Sequence, residues 1–141
     1  MMKLSKLLLV TLLVGCNSTT NEKVAEVNIN ALDLTGDKSQ AESYWVVTKI
    51  SNPVYPTSAV RNDISGCVEF SFVISELGKA QNIQIIKSVP ENIFNKAATK
   101  SLKKFRWAAT NNNDVLQPVL TTLQLDFSTS PKQTVAKCNV S

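Results

Sequence analysis

Histidine is absent from this 141-residue chain, and that absence removes much of the usual catalytic repertoire. No Ser–His or Cys–His pair can activate a nucleophile. With only three cysteines and no imidazole, a zinc site lacks ligands. The four glycines are isolated, so no phosphate-cradling loop is present. Asp63, Glu69 and Glu76 fall on separate turn and strand positions that imply no shared pocket. These absences exclude the common enzyme classes and imply neither cofactor nor metal. Charge is also sparse, at 18% of residues, with 15 basic and 11 acidic side chains. Residues 1–15 hold two of those lysines and no acid, so the remainder carries 15 − 2 − 11, or +2. Such a balance does not argue for nucleic acid. No apolar run approaches the roughly 20 residues that span a bilayer.

What is present begins with an export pattern. Lys3 and Lys6 precede the apolar residues 7–14, and Leu13-Val14-Gly15-Cys16 has the small-residue-before-cysteine form of a bacterial lipoprotein signal. Cleavage before Cys16 makes its thiol the site of lipid attachment, palmitate among the acyl chains, and ties the protein to a bilayer. Asn17 stands where lipoproteins held in the inner membrane often carry Asp, which favours the outer membrane, facing the periplasm. Cys67 and Cys138 then remain in an oxidising compartment, where two cysteines read as a disulfide more often than as free thiols.

The expected organisation is a signal peptide over 1–15, a flexible tether over 16–42 and one domain with a tail over 43–141. The tether is rich in Asn, Ser, Thr, Glu and Lys with only scattered aliphatics. From Tyr44-Trp45-Val46-Val47 the chain turns apolar, and Asn52-Pro53 and Tyr55-Pro56 impose an extended approach. Thr57 is placed to cap a short helix through Ala59 and Val60. Val68, Phe70, Phe72 and Ile74 alternate along a strand, Glu76-Leu77-Gly78-Lys79 makes a turn needing positive φ at glycine, and residues 82–87 form a second strand. A helix is predicted over 91–104, with Ile93, Phe94, Ala97, Ala98, Leu102 and Phe105 inward and Lys96, Lys100, Lys103 and Lys104 outward. Asn111-Asn112-Asn113-Asp114 is a loop. A third strand over 117–127 sets Val119, Thr121, Leu123, Leu125 and Phe127 on one face.

The order Tyr-Pro, Gly, strand, Gly turn, strand, Ser88-Val89-Pro90, Phe94, basic helix, Trp107, strand resembles the periplasmic C-terminal domain of the TonB family. The resemblance covers about half the chain. It implies an α+β fold: a small three-stranded antiparallel sheet, order second-first-third, with a short N-terminal helix and one longer helix packed on one face. In that order the start of the first strand, Cys67, lies beside the end of the third, within reach of a tail returning with Cys138. The third strand is then a sheet edge, and in the family it accepts a segment of an outer-membrane transporter by β-augmentation. Carried over, the peptide-binding edge is Val119, Leu120, Thr121, Thr122, Leu123, Gln124, Leu125, Asp126 and Phe127, with Asn52, Pro53 and Tyr55 as a clamp.

The implied role is a binding module in a Gram-negative envelope, for extended peptide segments of envelope proteins such as TonB-dependent transporters. Direct participation in TonB-type energy transduction, and a structural lipoprotein that forms a homodimer by strand exchange, are the alternatives. The chain departs from the family in lacking a His-bearing inner-membrane helix and a proline-rich spacer. Ala108-Ala109 replaces an expected proline, and no glycine stands near Asp114-Val115.

Overall fold

The computed structural model describes residues 30–129 and Cys138. Its centre is β3 (Gly66–Ile74), whose alternation buries Val68, Phe70, Phe72 and Ile74 almost completely. β4 (Ala80–Val89) pairs antiparallel on one side of β3 and β6 (Val119–Phe127) on the other. The turn between β3 and β4 carries Gly78 at φ 65°, as its sequence requires. A side chain there would also strike Trp107, since a Cβ would lie 2.0 Å from its carbonyl oxygen.

α3 (Asn95–Leu102) lays Ala98 and Leu102 on the inner face of the sheet. Phe94, just before it, stacks on Phe127 at 4.2 Å, and Tyr55 meets both rings edge-on. Burying several aromatic side chains together contributes most of the favourable energy of a domain this small. Lys96, Lys100, Lys103 and Lys104 point to solvent, as the helical spacing predicts. α2 (Thr57–Arg61) is the short helix, although Pro56 rather than Thr57 occupies its cap position and Thr57 is the first helical residue.

Three further elements alter the expected architecture. β4, β3 and β6 do lie in second-first-third order, but β1 (Leu32–Asp33) joins the far side of β6 to make a four-stranded sheet. A second sheet pairs β2 (Trp45–Lys49) with β5 (Arg106–Ala109). The expected three-stranded sheet is therefore corrected to four strands plus two. β1 is too short to show a period, and β5 lay hidden at the end of a helical stripe.

The helix is also shorter than predicted. Residues 91–94 form a turn and a bend, with Asn92 at φ 66°, and Trp107 belongs to β5 rather than to a helix end. It packs against Phe72 and Phe105. Finally, the chain joins the fold before Glu42, where the tether was expected to end. Asp37 caps α1 (Lys38–Tyr44) by accepting from the Gln40 amide at 2.9 Å, and Leu34 and Ala41 enter the core.

Candidate protein-binding edge

β6 presents two unlike sides. Toward β3, every one of its nine residues is in register, from Gly66↔Phe127 to Ile74↔Val119. Toward solvent, β1 pairs in parallel with its first two residues only, Leu32↔Val119 and Asp33↔Leu120. Leu32 donates to the Pro118 carbonyl and Leu34 to that of Leu120, each at 2.9 Å, so the even-numbered residues turn their polar groups outward. Alternation carries this to Thr122, Gln124 and Asp126. Among the described residues, no strand pairs with that side beyond Leu120. The open run, residues 122–126, is about 17 Å long at 3.4 Å per residue.

The predicted nine-residue edge is thus divided. Val119 and Leu120 already have a partner in β1, whereas Thr121, Thr122, Leu123, Gln124, Leu125, Asp126 and Phe127 have none on the outer side among the described strands. Gln124 donates to Asp126 at 2.6 Å, and its own buried Oε1 has no donor among the described residues.

A cavity of about 300 Å³ opens beside the start of this run, against Thr121, Thr122 and Leu123. Its floor is apolar, formed by Phe72, Phe105 and Trp107. Val46, Val47 and Ile50 make a wall that is 49%, 42% and 65% exposed, unusual for three aliphatics grouped in sequence. Lys38 and Glu42 of α1, 3.8 Å apart, stand at the polar rim. A side chain from an added strand, projecting on the same face as Thr121 and Leu123, is directed toward this groove.

The other edge of the sheet is built differently. The β3–β4 register shifts twice, and both times the extra residue lies in β4, with Asn82 in the left-handed region at φ 49°. Bulges of this kind disrupt the row of donors and acceptors that a new strand needs. Ile85 and Ile86 are exposed there, but on an irregular edge.

Residues 51–129, more than half of the chain, match the family described as the Gram-negative bacterial TonB protein C-terminal. The chain belongs to this TonB C-terminal family. Protein TonB of Yersinia enterocolitica is 27% identical over 70 residues, which are 50% of this chain and 28% of that protein. Protein TonB of Pseudomonas aeruginosa is 32% identical over 59 residues, 42% of this chain and 17% of the other. The chain thus spans less than a third of the length of these relatives. The solution structure of the Pseudomonas aeruginosa TonB C-terminal domain superposes with a TM-score of 0.58 at 24% identity, covering 64% of this chain and 92% of that one. That likeness shows the TonB fold.

The remaining predicted residues are scattered. Tyr55 packs on Phe127 at the end of β6, and its hydroxyl donates to the Ile64 carbonyl at 2.7 Å. Burial, with Asp63 nearby, raises its pKa above the ordinary phenol value. Tyr55 therefore fixes the strand end, while Asn52 is exposed and Pro53 half-buried. Cys67 and Cys138 form a disulfide with Cα atoms 5.9 Å apart, both side chains fully buried. Cys16 lies outside the described residues. Sequence reasoning missed the groove because its wall comes from β2. The Val46-Val47 pair was visible, but nothing local showed that it would face β6.

Proposed function

We propose that this protein is a lipid-anchored envelope protein whose TonB-type domain binds extended peptide segments by adding them to the outer side of β6. The observation that carries the reading is a regular strand edge that no described strand pairs with over residues 122–126, adjoining an apolar groove. Main-chain bonds to Thr122, Gln124 and Asp126 supply affinity. An apolar side chain lodged between β2 and β6 supplies register and selectivity. Membership in the TonB family makes TonB-dependent transporters the first class of partner to test. Attachment through Cys16 to the outer membrane, facing the periplasm, places the domain beside them. The disulfide staples a small domain in an oxidising compartment.

The test is a titration of the oxidised, lipid-free chain with peptides from the periplasmic N-terminal segments of such transporters, followed by backbone amide shifts. Shifts confined to residues 121–127 and the β2 wall are expected. Shifts at β4 alone, or a concentration-dependent dimer that excludes peptide, would replace the binding module with a self-associating structural protein.

A further inference from the structure

β1 already does, in part, what a partner strand is proposed to do. It lies in extended form along β6 and donates the Leu32 amide to Pro118, while the next residue, Leu34, donates to Leu120 and enters the core. We infer that residues 30–33 are a resident and displaceable occupant of the partner-binding edge, by which the chain restrains its own site. This inference rests on the reading of β6 as that edge.

Three features separate this segment from a permanent strand. Its pairing covers two residues, against nine for β3 on the opposite side of β6. It is parallel, the slightly weaker arrangement per residue. Leu32 and Asp33 are exposed, so little apolar surface holds them, and Leu34 is the first residue buried in the core. One side-chain bond adds to the backbone ones: Gln117 Nε2 donates to the Asn30 carbonyl at 2.6 Å. The segment can leave while Leu34 and α1 stay.

Its position gives the departure a consequence. With β1 seated, an added strand finds Thr122, Gln124 and Asp126. With β1 displaced, Pro118 contributes its outward carbonyl as well, while that of Leu120 keeps the Leu34 amide. A segment confined to residues 122–126 binds without disturbing β1, whereas a longer one must compete with it. The apparent affinity for long segments falls by the fraction of molecules in which β1 is seated.

The experiment uses the full chain and, as probe, a synthetic peptide of its own residues 27–33. It compares the unaltered protein with the double variant Leu32→Pro/Gln117→Ala, which removes the amide donated to Pro118 and the bond to Asn30. The probe is expected to bind the variant about tenfold or more tightly than the unaltered chain, with shifts at Leu120 and Thr122. Equal affinity, or no binding to the variant, overturns the inference.

A second measurement needs no variant. In the unaltered protein the Leu32 amide should exchange with solvent about a hundredfold faster than those of Leu123 and Leu125, because β1 opens locally. Equal rates would show that β1 is an integral strand. The probe also separates this inference from the reading beneath it. If transporter peptides bind neither form while the probe binds the variant, the proposed partner fails and the displaceable segment stands.

Discussion

The four-stranded sheet has two flanks, and they have been treated oppositely. On the β4 flank, two extra residues break the ladder, Asn82 takes a left-handed conformation, and the Trp107 amide of β5 ties down the turn by donating to the Gly78 carbonyl at 3.0 Å. On the β6 flank, the ladder to β3 is unbroken, and among the described residues the outer side pairs with β1 over two residues. Irregularity is a way to keep a sheet from pairing with strangers. Among the described residues β6 carries no such device, and exposed Val46, Val47 and Ile50 stand next to it, which is why that flank is the one proposed to receive a partner.

The comparison can be broken at four points. The largest effect is expected from Cys138→Ser. Its disulfide joins residues 71 apart in sequence, and loop-closure entropy assigns such a link about 4 kcal/mol. Denaturant melts of the unaltered and variant chains should differ by an amount of that order, with added reductant erasing the difference. Next come two prolines on one strand. The Leu123 amide faces β3, so Leu123→Pro removes a ladder bond and should cost about 3 kcal/mol or more. The Thr122 amide faces outward, so Thr122→Pro should cost less than about 1 kcal/mol while abolishing peptide binding. Equal destabilisation by the two would mean that both sides of β6 are structural.

The smallest effect is one of pH. Asp33 is held below its usual carboxylate value by hydrogen bonds from the Thr35 amide and then its hydroxyl. Asp37 is lowered in the same way by the Gln40 amide and then the Ser39 hydroxyl. A depressed folded-state pKa stabilises above the unfolded value of 3.8 and ceases to do so as pH falls through the lower folded value. Both carboxylates are fully exposed, so the change is slight and local. Amide shifts of residues 33–40 should move below about pH 4 while those of β3 stay fixed.

How much of this was legible in the sequence follows from how strongly each element declares itself. β3 and β6 did so, because Val68, Phe70, Phe72 and Ile74, and then Val119 through Phe127, alternate with a period of two over nine residues each. Gly78 announced its turn, and the family's order of residues gave the arrangement of β4, β3 and β6. β1 could not be read, since two residues have no period and its pairing is with a strand almost 90 positions away. β5 was masked because Phe105 continues the apolar spacing of α3, and only tertiary pairing with β2 turns Arg106 and Trp107 into a strand. The place of β6 at the side of β3 was therefore identifiable by resemblance, but its pairing with β1 over two residues was not. The groove depends on β2, β5, α1 and β6 together, which no local pattern encodes.

The most direct test of an open outer side is amide hydrogen exchange along β6 in the oxidised chain without added peptide. The amides of Thr121, Leu123 and Leu125 face β3, while those of Thr122, Gln124 and Asp126 face outward. The account predicts alternation, with the outward set exchanging at least about a hundredfold faster than the inward set. Uniform protection across residues 121–126 would contradict it, because the edge would then be filled already and unable to receive a partner strand.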